Sequence, residues 1–321
     1  SVLRETLGQH IHGEQWADSI KAVLHTQGLL KRPIHIISAN MHSVQNSLYA
    51  PETLKTKLKG QNKLQIFEEL SANSKHRDTV AKVATKEGMT FIKDESGTNI
   101  DVQIFDTAKY SSGDYTAKIK NLDDADKPVI IVMDYAFGEQ AYETMDELLK
   151  PYKSNDDTAI YLNVSSISIM GKAGILTGGK GDIMIPSSHI FEGTADNYPF
   201  ENGLKIADLK GHDIGVYDGA MISVLGTSLQ NKDLLRYFNR STWGVVGLEM
   251  EGAHYQKAIQ AHSKVRKSIH TDVCVNYAYY ASDNPLETGS TLASGGLGTT
   301  GVKPTYLITE IILKQIFGSS R

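Results

Sequence analysis

Two glutamates and a methionine stand together in the stretch 247–254, which reads GLEMEGAH and contains Glu249, Met250 and Glu251. An apolar run precedes it, and apolar or small residues then recur at helical spacing, which predicts a strand leading into a helix. At such a junction, side chains and free N–H groups face a ligand instead of the core. The stretch therefore suggests a site that binds a polyol beside a flat or apolar group. An ordinary amphipathic helix with solvated glutamates is the alternative.

Asp283 is a third acid in a position that suggests chemistry. It follows the aromatic run 273–280, so it would lie at the end of a late strand. A carboxyl at the rim of a sheet, among apolar neighbours, can have a raised pKa and donate a proton. The alternative is a turn, because Asp-Asn-Pro commonly opens one.

Two further stretches contain candidate ligand contacts. Asn40 and His42 come after the run 34–37, and the carboxyl end of a strand is a usual ligand position in open α/β sheets. A packing role for His42 is the alternative. Glu192 and Tyr198 belong to a loop in which two aromatic residues flank a proline. That loop could form a wall for a planar ligand or lie plainly on the surface.

Other motifs are weaker. Residues 296–301 match G-x-G-x-x-G, but no strand immediately precedes them, so a dinucleotide site is rejected and only a phosphate contact at a helix N-terminus remains. The eleven histidines are scattered without metal-site spacing. The sequence therefore predicts neither a metal nor a cofactor.

Composition narrows the class of protein. Hydrophobic residues make up 40% and charged residues 22% of the 321 residues, a normal globular balance. The net charge of −4 gives no reason to expect a nucleic-acid or membrane partner. Because Cys274 is the single cysteine, internal disulfides are excluded and a reducing, cytoplasmic location is expected. No transmembrane helix or signal pattern is expected either.

The elements that must position these side chains alternate between buried strands and helices. This pattern predicts a single-domain, three-layer α/β/α fold with a mixed, largely parallel central sheet. A helical extension is expected over residues 1–32, and the main domain over residues 33–321. Further expectations are one helix over 62–87, an exposed excursion over 106–127, a glycine turn over 171–176, a mobile loop over 288–303 and a closing helix over 303–317.

Taken together, these segments resemble the nucleoside phosphorylase/nucleosidase superfamily. The motifs that carry the resemblance are a small-residue turn after the first strand, Gly-x-x-Gly followed by Gly-Asp-Ile-x-Ile-Pro, Glu-Gly-Thr…Tyr-Pro, Met-Glu-Gly-Ala and Ser-Asp. The resemblance covers residues 128–317 well, whereas residues 1–127 match only at the first strand. Residues 171–198 and 282–285 look most like the AMP nucleosidase branch.

The resemblance implies cleavage of the N-glycosidic bond between ribose and a purine. Asp283 falls where the family protonates the leaving base, Glu251 where a glutamate holds the ribose hydroxyls, and Met250 where a methionine packs on the sugar. The predicted substrate-binding residues are Glu249, Met250, Glu251, Gly171, Lys172, Gly174, Glu192, Tyr198 and Ser282. The predicted catalytic residues are Asp283, Asn40 and His42.

Two departures from the family bear on the nucleophile. Residues 38–43 lack the Gly-Asp-Pro-type phosphate loop and its arginine, and Ile169 stands where phosphorylases place another arginine. Both departures favour water over phosphate. Hydrolytic relatives often use a glutamate near the end of the first strand, and none is here, so Asn40 and His42 are the nearest substitutes. Lys172 is the cation placed to meet a phosphate, such as a nucleotide 5′-phosphate.

Three functions remain open from the sequence. The first is a purine nucleosidase or nucleotide nucleosidase, and the second is a phosphate-dependent phosphorylase. The third is a nucleoside-binding protein without turnover. The absence of a glutamate near the end of the first strand favours this alternative. The expected partner is a nucleoside or nucleotide, with phosphate as a possible co-substrate, and a homo-oligomer is expected from the family.

Overall fold

The computed structural model describes residues 10–154, 158–194, 196–226, 231–287 and 298–318. The strands are β1 (Ile34–Ser38), β2 (Met89–Ile92), β3 (Val102–Asp106), β4 (Val129–Met133), β5 (Tyr152–Lys153), β6 (Ala159–Ile160), β7 (Val164–Ile175), β8 (Ile183–Phe191), β9 (Asn197–Pro199), β10 (Val216–Ser223), β11 (Val245–Glu249) and β12 (Cys274–Asp283). Ten of them form one sheet in the order β11-β10-β8-β12-β7-β1-β4-β3-β2, with β9 on β8. β5 and β6 pair separately.

The middle of the sheet is parallel. β1 pairs in parallel with β4 and β7, and β7 pairs in parallel with β12, whereas β2, β3 and β9 join antiparallel. Every residue of β1 and β4 is buried. Strands covered on both faces need apolar residues on both faces, which explains their nearly continuous apolar runs. The predicted mixed sheet is confirmed.

The long strand β7 closes one half of the sheet into a ring. Its far end pairs antiparallel with β11, Ile175 opposite Gly247 and Gly174 opposite Leu248, so that β7, β12, β8, β10 and β11 are joined in a circle. A Cβ on Gly247 would lie 2.7 Å from the Gly174 carbonyl oxygen, so the closure requires glycine there. The glycine turn predicted over 171–176 is therefore wrong, because these residues continue β7.

Helices cover the two faces. They are α1 (Ile11–Thr26), α2 (Met41–Leu54), α3 (Lys63–Ala72), α4 (Ser74–Lys86), α5 (Thr116–Lys120), α6 (Gln140–Leu148), α7 (Lys232–Arg240), α8 (Gly252–Gln260) and α9 (Val302–Gly318). One buried cluster joins the sheet to α1, α6 and α8, and a second joins it to α2, α3, α4 and α9. These two cores confirm the three-layer arrangement.

Two helical expectations need correction. The helix predicted over 62–87 is two helices, because Asn73 adopts an extended conformation and its side chain accepts the His76 N–H at 3.3 Å to begin α4. The excursion predicted as exposed over 106–127 contains buried Tyr115 and Ile119. Tyr115 stacks on Phe317 of the closing helix, with ring centroids 4.4 Å apart, and this long-range contact buries it.

The first helix is part of the domain core. Trp16 of α1 is buried and donates its indole N–H to the Ile100 carbonyl at 2.8 Å. The first part of the predicted N-terminal stripe, residues 1–9, and most of the loop predicted over 288–303 lie outside the described residues. Among the helices of the described ranges, none combines the length and the apolar character that a membrane crossing requires.

Candidate active site

The junction between β11 and α8 holds the two glutamates, as the sequence predicts. Glu249 is buried, and its carboxylate accepts the backbone N–H groups of Glu251, at 2.5 Å, and Gly252. It also accepts the Ser223 hydroxyl, and His189 Nδ1 lies 3.3 Å away. Burial alone would raise the pKa of Glu249, but His189 and these hydrogen bonds lower it below its ordinary value. Glu249 is therefore an ionised carboxylate that fixes the head of the helix.

The pKa of Glu251 is shifted in the opposite direction from that of Glu249. Burial, followed by the charge of Glu249, raises its pKa from an ordinary 4.5 to about 7, although N–H groups of Gly138 and Met250 partly oppose the rise at 3.2 and 3.3 Å. Glu251 can therefore be protonated or ionised near neutral pH. A carboxyl poised in this way can accept or share protons with a polar ligand.

A cavity of about 380 Å³ lies in front of this junction. Seven of the predicted substrate-binding residues line it: Glu249, Met250, Glu251, Gly171, Lys172, Gly174 and Ser282. They come from β7, the β11–α8 junction and β12, three elements that are distant in sequence. The ring of strands brings their ends together, which the sequence motifs alone do not specify.

Asp283 is the last residue of β12 and lies opposite Gly174 of β7 in the strand register. Its carboxyl group is buried and accepts the Ser282 hydroxyl at 2.5 Å. Ser282 lines the cavity, so the two residues place a hydrogen-bonded acid directly behind the cavity wall. The predicted strand end at Tyr280 is three residues too early, because β12 continues along β7.

Sequence reasoning missed a set of polar and aromatic side chains in the cavity. Ser38, at the end of β1, is within 3.1 Å of the Tyr255 hydroxyl, and both line the cavity. Tyr135 and Tyr280 also line it, and their hydroxyls lie 3.5 Å apart. The aromatic character of the last strand was the available signal for Tyr280. Tyr255 looks like a core residue of a helical stripe, so its hydroxyl gave no signal.

The structure places Asn40 and His42 in a different cavity. Asn40 precedes α2, and its side chain accepts the His42 N–H at 2.9 Å, which is an N-cap interaction. Both residues line a neighbouring cavity of about 470 Å³. Tyr280 lines both cavities and so stands between them.

Glu192 and Tyr198 do not belong to the described lining of the main cavity. The Glu192 carboxylate accepts the Leu225 N–H at 2.8 Å and so ties together the loops after β8 and β10. Tyr198 lies edge-on against Phe191, with ring centroids 5.7 Å apart. Both contacts support the loop, which was the plainer reading of this stretch.

One cluster of the described residues has the composition of a metal site. Atoms of His10, Asp146 and Glu147 lie within 4.8 Å of one another. Lys150, however, contacts both carboxylates, at 3.4 and 2.7 Å, and Arg266 contacts Asp146 at 2.6 Å. These cations neutralise the acids in place of a metal, so the cluster is an ion-pair network.

Comparison with known proteins shows the fold. The 5′-methylthioadenosine/S-adenosyl homocysteine nucleosidase (MTAN) of Campylobacter jejuni aligns over 89% of this chain and 99% of its own, with 12% identity and a TM-score of 0.51. The MTAN of Helicobacter pylori aligns over 89% and 100%, with 11% identity and a TM-score of 0.51. This is the nucleoside phosphorylase/nucleosidase fold. No curated protein matches by sequence. A family model described as a family of unknown function (DUF6909) matches residues 63–318.

Proposed function

We propose that this chain, which belongs to DUF6909, a family of unknown function, hydrolyses the N-glycosidic bond of a purine nucleoside or nucleotide. The proposal is based on the residues of its candidate active site. One observation carries the proposal. Met250 and Glu251 of one junction line a single cavity together with Gly171 and Gly174 of β7 and with Ser282, whose hydroxyl is hydrogen-bonded to Asp283. The cavity volume of about 380 Å³ is in the range of small-ligand sites.

The proposed roles follow the chemistry of the bond. As the bond between the sugar and the base breaks, its electron pair moves to the base and positive charge develops on the ribose. Asp283 gives a proton to the departing purine, and proton donation in the transition state typically speeds a reaction by about 10²–10⁴-fold. Glu251 accepts hydrogen bonds from the ribose hydroxyls, and Met250 packs on the sugar. Holding the diol orients the reacting carbon.

Water is the nucleophile in this proposal. Ile169 lines the cavity at the position where the resemblance places an arginine of phosphorylases. Among the described residues that line the cavity, Lys172 is the only lysine or arginine, and its side chain is exposed to solvent. The water oxygen attacks the anomeric carbon, and its released proton restores the proton that Asp283 gave to the base. The products are the free base and the free sugar.

A second candidate is a binding protein without turnover. The observation in its favour is Ser38, which stands at the carboxyl end of β1 and hydrogen-bonds to neutral Tyr255. Burial raises the pKa of Tyr255 well above its ordinary value, so this pair offers no strong base to activate water. Slow or absent turnover would follow if the reaction requires one.

The decisive experiment is a product analysis. The full chain is incubated with adenosine, inosine, guanosine and their 5′-monophosphates, with and without inorganic phosphate, and products are separated by chromatography. Free base plus free sugar without phosphate supports the proposal. Strict dependence on phosphate, with a sugar 1-phosphate as product, would identify a phosphorylase. Calorimetric binding without base release over hours would favour the binding protein.

The AMP nucleosidase branch, a homo-oligomeric assembly and a cytoplasmic location stay predictions. The first is tested by the same panel, since an AMP nucleosidase should prefer the monophosphate. Light scattering of the purified chain measures the second.

A further inference from the structure

The neighbouring cavity has a lining that favours negative charge. Here it is called the Arg77 cavity, and Arg77, Asn40, His42 and Asn46 contribute to its wall. Arg77 donates to the backbone carbonyls of Leu70, at 2.7 Å, and of Ser71. These bonds hold the guanidinium in one orientation. None of the described residues lining this cavity is acidic.

The other polar groups of the wall are neutral donors and acceptors. Burial, followed by the charge of Arg77, lowers the pKa of His42, while Asp134 opposes this weakly. His42 is therefore neutral at physiological pH. Asn46 is almost fully buried and donates to the Tyr306 hydroxyl at 2.7 Å. Arg77 is thus the charged group of the described lining.

Two helices begin at the Arg77 cavity. Asn40 is the N-cap of α2, and Gly301 and Val302 at the head of α9 line the wall. The N-terminus of a helix carries a partial positive charge of about half an elementary unit and favours anions. A guanidinium held by two carbonyls and the first residues of two helices therefore line one space, and no carboxylate is among its described lining residues.

The Arg77 cavity adjoins the main cavity at Tyr280. Tyr280 lines both cavities, whereas Asp283 lies three residues further along β12, roughly 10 Å away at the strand rise. If Asp283 faces the base and Glu251 holds the ribose hydroxyls, the 5′ carbon is the part of the nucleoside left to point past Tyr280.

We propose that the Arg77 cavity receives an anionic group, a phosphate or a carboxylate, carried on the 5′ carbon of the substrate. This inference rests on the proposed function of the main cavity. Arg77 is then a specificity-determining residue that forms charge-assisted hydrogen bonds to the anion. Such bonds are stronger than neutral ones, so their loss should lower the specificity constant by roughly 10- to 100-fold.

The test measures kcat/KM for adenosine, AMP and adenosine 5′-carboxylate. The wild type should prefer at least one anionic substrate by roughly 10-fold or more, and Arg77→Gln should lose that preference while changing adenosine cleavage by less than about 3-fold. The two anionic substrates distinguish phosphate from carboxylate. Lys82→Gln is the matched control, because Lys82 is exposed on the same helix and outside the cavity lining.

Arg77 also links the start of α4 to the end of α3, so its replacement could destabilise the fold. The thermal unfolding of each variant is therefore measured, and Arg77→Lys is tested as a second variant. Arg77→Lys keeps the charge and should retain part of the preference. Equal losses for adenosine and AMP in a folded Arg77→Gln variant would overturn the proposal. So would inorganic phosphate that accelerates adenosine cleavage only when Arg77 is present, because the anion would then be a nucleophile.

A failure of the main proposal gives a different result. If no compound is cleaved, the affinities for AMP and adenosine are measured by calorimetry, which tests the Arg77 cavity independently of catalysis. Tighter binding of AMP by the wild type, but not by Arg77→Gln, supports the anion site. Equal binding of the two ligands by the wild type contradicts it.

Discussion

Glu251→Gln should remove a pH dependence of stability that the wild type shows between about pH 4.5 and 7. Burial and the nearby charge of Glu249 raise the pKa of Glu251 from an ordinary 4.5 to about 7 in the folded protein. The folded state therefore holds a proton on this carboxyl over a range in which the unfolded state releases it. Glutamine has nearly the same shape and no charge, so it isolates this effect.

The sign follows from the proton balance. The stabilisation is fully present below the unfolded pKa, and it is lost as pH rises through the folded pKa of about 7. One pKa step corresponds to about 1.4 kcal/mol, so the whole loss is on the order of 3 kcal/mol. The free energy of unfolding of the wild type should fall by this amount relative to the variant between pH 4.5 and pH 8.

The assay is urea unfolding at half-unit pH steps from 4.5 to 8, with the difference between wild type and variant plotted against pH. Glu68→Gln is the control, because Glu68 is exposed on α3 and its removal should leave the wild-type curve in place. Parallel wild-type and Glu251→Gln curves over this range would refute the electrostatic reasoning. So would a wild-type protein that gains stability relative to the variant as pH rises.

Three other substitutions test the site and the core. Asp283→Asn should lower base release by roughly 100-fold with little change in nucleoside binding, and unaltered turnover would remove Asp283 from the mechanism. Gly252→Ala should destabilise the protein by about 1–3 kcal/mol, because the new methyl would collide with the buried ring of His189. Gly179→Ala has open space and should be close to neutral; a similar loss in both would contradict the collision. Trp16→Phe loses a buried indole hydrogen bond and should cost about 1–3 kcal/mol in denaturant unfolding, whereas an unchanged midpoint would show that α1 is not fastened there.

Local sequence patterns were sufficient where the signal is short-range. The apolar run of β4 and the strand-to-helix change at Glu249 and Gly252 are in the structure as predicted. The neighbouring positions of Met250 and Glu251 follow directly from that junction. Periodicity and adjacency are properties of a segment alone, so they survive whatever the rest of the chain does.

Long-range contacts decided the rest. The run after Gly171 has the composition of a turn, yet it extends as a strand because its edge pairs with β11 and β12. Asn40 and His42 follow β1 as expected, but Tyr280 separates them from the main cavity. No pattern within residues 38–43 records the position of a tyrosine more than two hundred residues away.

The amino-acid sequence by itself determined the element types, the order of the motifs and the identity of the acids at two strand ends. Only the tertiary structure decided that Glu249 and Glu251 line one cavity with Asp283 behind its wall at Ser282. It also decided that the Glu249 carboxylate accepts backbone N–H groups, and that Arg77 lines a second cavity next to the first. The physical reason is that a carboxyl's environment depends on burial and on charges brought near by strand register. Both are set by contacts between residues that are distant along the chain.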